Sequence, residues 1–402
     1  MAHSDSAYLR LLDIPADKLA GKKILIRSDL NAPVDHDRIT EDTRLVESLP
    51  AIQYCINAQA KVMVVSHRGR PTPGHPTPKD TLAPMADYLS LKLNQPMPLI
   101  RDWLGKDIDI DNGQVVMLEN CRLNLGEKQD DDTVAKKMAD MCDIYVNDAF
   151  GIVHRAEATT HGVAKFAKIA CAGPLMAAEL DALDTAVGNP KRPLLAIVGG
   201  AKVSTKLVVL KNLAEKVDHL IVGGGIANTF LLALGHNIGK SLCEPELVDD
   251  CKAIIEIIAK KGGQLPLPTD VVTAKSIDEN AHAVIKSIDQ IEDDDMILDM
   301  GSDTLTKMTQ LIDSVNTIVF NGPIGLFEID AFANGTKTVA CAIANSPAFS
   351  VAGGGDTLAA VAKFQIRDKL DYVSTGGGAF LEFLEGRKFP PIEILEIRAK
   401  EA

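Results

Sequence analysis

Short apolar, β-branched runs alternate with longer stretches of helical periodicity along most of the chain. In the first half the runs are Lys23–Ile26, Lys61–Val65, Val115–Leu118 and Ile144–Val146. In the second half they are Leu194–Val198, His219–Val222, Thr317–Phe320, Ser350–Ala352 and Tyr372–Val373. Turn residues bound each run, the mark of a strand buried on both faces. Between them, Asp131–Met141, Lys206–Lys216 and Leu247–Lys260 space their apolar residues three and four apart, which predicts amphipathic helices. Alternation of this kind predicts an α/β fold, with parallel sheets covered by helices on both faces.

The pattern breaks near the middle. Gly173-Pro174 opens an apolar helical stretch, Leu175–Val187, with the proline suited to a first helical turn, and Gly188-Asn189-Pro190 ends it. We read this as a linking helix and hinge between two doubly wound parallel-sheet (Rossmann-like) domains, 1–185 and 186–387. A length of 402 residues fits two domains. The acidic runs Asp130–Asp132 and Glu292–Asp295 read as solvated loops, and Pro71–Pro78 as a short proline-rich loop.

Composition narrows the partners. A formal net charge of −13 weighs against nucleic acid or an anionic membrane as the main partner, since both reward excess Lys and Arg. It leaves room for a small anion held by a local basic cluster. The 7 cysteines are scattered without a C-x-x-C pair, which argues against a zinc site or a disulfide framework and for a reducing compartment. The stretch Met1–Pro15 lacks a basic flank followed by an apolar run, so it does not read as a secretory leader. No apolar run approaches the roughly 18 residues of a membrane helix. A cytoplasmic protein is expected.

In parallel sheets, ligands bind beyond the carboxyl ends of the strands, and the two halves end their strands differently. In the first half, Arg27-Ser28-Asp29-Leu30-Asn31, Ser66-His67-Arg68-Gly69-Arg70, Glu119-Asn120-Cys121-Arg122 and Asn147-Asp148 with nearby His154-Arg155 follow the strands. Any one of these arginines is most simply an ion-paired surface residue. Their recurrence after successive strands predicts a pocket for a compact polyanion, which guanidinium forks grip bidentately. In the second half the strands end in glycine: Gly199-Gly200, Gly223-Gly224-Gly225, Asn321-Gly322, Gly353-Gly354-Gly355 and, after Ser374-Thr375, Gly376-Gly377-Gly378. A lone glycine triplet is usually a tight turn. Several at strand ends, each before a helix, predict backbone amides laid out for nucleotide phosphates.

Two familiar motifs fail. The triplets lack the third glycine of the dinucleotide fingerprint, since Gly223-Gly224-Gly225-Ile226-Ala227 runs into Asn228. That counts against a nicotinamide-dependent oxidoreductase. Gly235–Ser241 is one residue short of a P-loop and reads as a loop. Lys202 and Lys206, four apart at the expected start of a helix, can face one side, and Asp356 follows a triplet where a carboxylate could either cap a helix or hold Mg²⁺. Phosphoryl transfer asks for this inventory of charge neutralisation, metal and positioning, with no covalent nucleophile. A non-catalytic anion sensor built on the same scaffold would be expected to have lost those lysines or that carboxylate.

The segments Arg27–Asn31, Ser66–Pro71, Leu118–Glu127, Asp148–Gly162, Gly199–Lys206, Asn321–Glu328, Gly353–Thr357 and Ser374–Ala379 look like phosphoglycerate kinase motifs in that family's order. The chain resembles the family over nearly its whole length. The resemblance implies reversible, Mg²⁺-dependent phosphoryl transfer from 1,3-bisphosphoglycerate to ADP in glycolysis, yielding 3-phosphoglycerate and ATP. It implies that Asp29, Leu30, Asn31, Arg44, His67, Arg68, Gly69, Arg70, Arg122 and Arg155 serve the glycerate in the N-terminal domain. Gly223, Gly224 and Gly301 would line the adenine pocket with Glu328 on the ribose, while Lys206, Asn321, Gly354, Gly355 and Thr357 take the phosphates and Asp356 the metal. Arg44 and Lys202, with backbone amides at Gly376, Gly377 and Gly378, would neutralise the group in transfer. A monomer is implied, with a C-terminal tail, about 388–402, returning to the N-terminal domain. Phe320, Ser302 and Ala32 depart from the family's usual tryptophan, proline and valine.

Overall fold

The computed structural model describes residues 7–401. The N-terminal stretch weighed above as a leader begins in residues 1–6, outside the described ones. The chain forms two compact units, one reaching to Leu180 and taking in the segment from Lys388 onward, the other Asp181–Arg387. The division falls inside the helix Pro174–Leu183, a few residues before the expected position at 185, and a π-helical turn, Asp184–Gly188, follows it.

The first unit is built on a six-stranded parallel sheet in the order Leu99–Ile100, Val115–Leu118, Lys61–Val65, Lys23–Ser28, Ile144–Asp148, Ile169–Ala172. The four strands expected from the apolar runs are its centre. Ile24, for example, lies between Val62 and Ile144 in register. The two edge strands escaped sequence reading, because one is two residues long and the other, Ile169-Ala170-Cys171-Ala172, has a single β-branched residue. Leu45, Ala51, Ile52 and Cys55 of the helix Thr43–Asn57 seal one sheet face together with Ile24, Ile26, Val62 and Val64. The C-terminal helix Pro390–Glu401 belongs to this unit. Arg398 donates to the carbonyls of Lys165 (3.0 Å) and Ala167 (2.9 Å), and Phe389 meets Phe150 edge to face.

The second unit carries a five-stranded parallel sheet, His219–Gly223, Leu194–Gly199, Thr317–Asn321, Phe349–Ala352, Tyr372–Val373. All five were legible as apolar runs. Beside it stands a three-stranded antiparallel sheet, Val284–Ser287, Asp270–Ala274, Met296–Met300, which sequence reading did not anticipate. Its outer strand is half exposed, so no continuous apolar run announces it.

Three local expectations are corrected. Glu292–Asp295 is not a solvated loop throughout: Asp295 is buried, ion-paired with Lys275 (2.9 Å) and Lys286 (2.8 Å). In the run Asp130–Asp132, Asp130 pairs with His161 and Lys165, and Asp131 caps a helix through the amides of Thr133 and Val134. Lys202 and Lys206 do not share a helical face. The helix begins at Leu207, with Lys206 half-buried at its cap and Lys202 exposed in the turn before it. Before that turn the backbone at Gly199 passes so close to Pro323 and Gly322 that a Cβ there would collide.

Candidate functional site

Residues at the carboxyl edge of the first sheet converge on His67. This side chain is buried, and Nη2 of the fully buried Arg27 lies 3.1 Å from its Nδ1. A guanidinium can only donate, so Nδ1 accepts and the ring proton sits on Nε2. Burial, and after it the positive charges of Arg27, Arg122, Arg155 and Arg44, press the imidazole pKa well below its ordinary value. Of these four arginines, Arg27 touches the ring directly, and Arg122 and Arg155 line one cavity. Three of them, Arg44, Arg122 and Arg155, are residues picked from the sequence.

Each is held by a neighbour. Asp29 accepts from Arg44 Nη1 (2.8 Å) and from the amide of Asn31 (3.4 Å). Asn31 Oδ1 takes the amide of Gly69 (2.9 Å), and the carbonyl of Gly69 accepts from Arg122 Nη1 (2.9 Å). Leu30 is buried with its amide on Ser66 Oγ (2.9 Å), so it positions backbone and offers no side-chain contact. Arg68 turns aside to the carbonyl of Thr81 (2.8 Å). A cavity of about 470 Å³ is lined by Arg70, Arg122, Lys128, Arg155, Ala156 and Glu157. Within it Glu157 Oε1 accepts from Arg122 Nη2 (2.8 Å), and both side chains are almost fully buried. Sequence reading missed Lys128 and Glu157, which follow no strand directly. A larger cavity of about 930 Å³ beside Trp103 and Glu119 sets one arginine, Arg101, against several carboxylates, so size alone does not locate the anion site.

In the second unit, a cavity of about 380 Å³ is bounded by Gly200, Gly224, Gly225, Asn228, Lys240, Leu242, Leu298, Pro323, Gly325, Glu328 and Asp356 among others. Its walls are the glycine-rich strand ends joined to apolar side chains, the profile of a purine slot with a polar mouth. Gly223 ends its strand as the cap of the helix Gly224–Ala233, its Cα packed on Ile324 too closely for a Cβ. Gly301 lies outside the lining, capping the helix Ser302–Asp313 against Asp270. Lys240, from the loop that imitates a P-loop, lines the cavity unforeseen.

Lys206 Nζ donates to the carbonyls of Gly199 (2.7 Å) and Asn321 (2.9 Å). Burial lowers its pKa to about 8, and Asp356 opposes this from within electrostatic reach. Asn321 donates from Nδ2 to the carbonyl of Gly353 (2.8 Å), while its buried Oδ1 has no partner. The helix Gly355–Lys363 is capped by Gly354 at φ 97°, a conformation open to glycine, so Asp356 is not the cap and Thr357 is buried in the first turn. Asp356 is exposed and forms no hydrogen bond or ion pair with any described residue. A free carboxylate beside first-turn amides suits Mg²⁺, which favours one or two carboxylates plus phosphate oxygens. At the last strand end, Gly376 donates its amide to Ser374 Oγ (3.1 Å), which commits one of the amides expected to face the transferred group. Phe320 is buried in its strand, and Ser302 opens its helix without disturbing the Asp270 cap on Asp303 and Thr304.

The family model described as Phosphoglycerate kinase matches residues 13–387. Among solved structures, phosphoglycerate kinase from Coxiella burnetii superposes with a TM-score of 0.94 at 50% identity, covering 98% of this chain and 100% of that one. The phosphoglycerate kinase from Pyrococcus horikoshii does so with a TM-score of 0.79 at 32% identity, again covering 98% and 100%.

Proposed function

The chain belongs to the phosphoglycerate kinase family, and on that premise we propose how its residues divide the work. The reaction is reversible transfer of a phosphoryl group between 1,3-bisphosphoglycerate and ADP, giving 3-phosphoglycerate and ATP. The first unit takes the glycerate. Arg70, Arg122 and Arg155 grip its distal phosphate, and His67, donating from Nε2, with Asp29, Asn31 and Arg44 orients the end that carries the acyl phosphate. What supports this is the single cavity that Arg70, Arg122 and Arg155 line together, with Arg122 joined through the Gly69 backbone to Asn31.

The second unit takes the nucleotide, with the base against the Gly224–Gly225 wall, the ribose toward Glu328, and the phosphates over Lys206, Asn321 and the amides of Gly354–Thr357. Members of this family use Mg²⁺ with ATP and ADP, and here Asp356 would hold the ion, which supplies charge neutralisation on the phosphates. Arg44 and Lys202, with the amides of Gly377 and Gly378, balance charge on the group in flight. The same reading makes the protein a cytoplasmic monomer. Free cysteines at all 7 positions support the reducing compartment, and no helix among the described residues is long and apolar enough to cross a membrane. Scattering mass and cell fractionation check these points; a stable dimer or a secreted pool would overturn them.

Arg44 gives the sharpest test. An interaction worth more to the transition state than to bound substrate shows in kcat. In a coupled assay of ATP formation, Arg44→Ala should lower kcat about a hundredfold or more while the KM for ADP stays within a few fold. A near-normal kcat would remove Arg44 from the chemistry.

A further inference from the structure

The cavity assigned above to the distal phosphate holds a cation that no motif announced. We infer that Lys128 is a further binding residue for that phosphate, lining the same pocket as the arginines; this rests on the placement of the phosphate among Arg70, Arg122 and Arg155.

Three observations carry it. First, the backbone at residue 128 is tied to the wall that bears Arg155 and Glu157. Its neighbour Glu127 is buried, its carbonyl accepts from the amide of Ala158 (2.8 Å), and its carboxylate accepts from the amide (3.2 Å) and hydroxyl of Thr159. Lys128 is therefore held at the rim by a core anchor one residue away.

Second, Lys128 has nothing else to do. It makes no hydrogen bond or ion pair with any described residue, although the acidic run Asp130–Asp132 lies just beyond it. Those carboxylates are taken. Asp130 serves His161 and Lys165, Asp132 serves Lys165, and Asp131 caps its helix.

Third, the pocket's own polar groups are incompletely satisfied. Arg122 commits Nη1 to the Gly69 carbonyl and Nη2 to Glu157, yet its Nε and Glu157 Oε2 are buried without partners. A bound phosphate oxygen would accept from the Arg122 Nε and relieve the cost of burying that donor unpaired, whereas the Glu157 oxygen, itself an acceptor, gains nothing from an anion. Glu157 also cancels one positive charge of the pocket. Without Lys128 the arginines would carry a net charge of about +2, no more than matching a phosphate monoester of about −1.5 to −2. With it there is a surplus, which favours the dianionic ester over a hydroxyl or a single carboxylate.

The test is a comparison of kinetic constants at low ionic strength. Lys128→Met should raise the KM for 3-phosphoglycerate about three- to tenfold, the range of one charge-assisted contact at a partly exposed site. It should leave kcat and the KM for MgATP within about twofold, and Lys128→Arg should restore the KM. The salt dependence of 3-phosphoglycerate affinity should flatten in the methionine variant. An unchanged KM, or an equal rise for MgATP, overturns the inference. Arg155→Ala serves as the reference. If it too leaves the KM for 3-phosphoglycerate unchanged, the pocket is not the phosphate site and the parent reading falls with it. If Arg155→Ala raises the KM and Lys128→Met does not, the role of Lys128 alone is refuted.

Discussion

Lys206 shows how far one residue's chemistry can differ from its place in a motif. Spacing pairs it with Lys202 on a helix; the fold instead half-buries it against two carbonyls and leaves Lys202 in solvent. Burial lowers its pKa from 10.5 to about 8. The unfolded chain then binds the proton more readily between those values, so this group's contribution makes stability rise with pH from about 8 to 10.5. A nucleotide phosphate would reverse the shift. Binding of MgADP near pH 8.5 should therefore take up a proton, seen as a dependence of calorimetric heat on the buffer's ionisation enthalpy. Buffer-independent heat would mean that Lys206 does not meet the phosphates. At this scale the strand-end arginines were legible because each follows an apolar run; Lys128, Glu157 and Lys240 were not, because they reach their cavities from loops whose course depends on the rest of the fold.

Among the elements, the helix Pro174–Leu183 matters most, since the boundary between the two units lies within it. Its N-terminus is capped by Asp148, at the end of the strand Ile144–Asp148, whose Oδ1 accepts from the amides of Leu175 (2.8 Å) and Met176 (3.2 Å). Gly173 leaves no room for a Cβ there. Burial raises the Asp148 pKa to about 7, against the two amide bonds that lower it. The folded state thus keeps a proton that the unfolded chain releases near pH 4, and the contribution to stability falls as pH rises from about 4 to about 7. Asp148→Asn keeps an acceptor for the cap and should reduce that slope in melting temperature, leaving the part due to Glu127 and Asp299, whose carboxyls burial also raises to about 7. Asp148→Ala should lose the cap as well, about 1 kcal/mol. A slope unchanged in the asparagine variant would assign the pH dependence to those other groups alone. The linking helix was readable in advance because proline and glycine punctuate it. The antiparallel sheet was not, since one edge strand, Val284–Ser287, is half exposed and its strands pair only with each other.

At the scale of the molecule, the arginine-lined cavity proposed for the acceptor belongs to one unit and the cavity proposed for the nucleotide to the other. In-line transfer requires the reacting atoms to approach to about 3–3.5 Å, so the proposed division of sites predicts that both substrates together favour a closed arrangement of the chain. Such closure would also keep water from the acyl phosphate. The radius of gyration in small-angle scattering should fall with 3-phosphoglycerate and MgATP together more than with either alone; an unchanged radius would exclude closure as a step. The local sequence was enough to determine the central strands of the first parallel sheet, all five of the second, the chemical contrast between their edges and the family, because burial on two faces writes continuous apolar runs and phosphate binding restricts which residues may follow them. Tertiary structure alone decided which cations share a pocket, which lysine is buried and which carboxylate stays free, because those outcomes depend on side chains distant in sequence competing for the same partners.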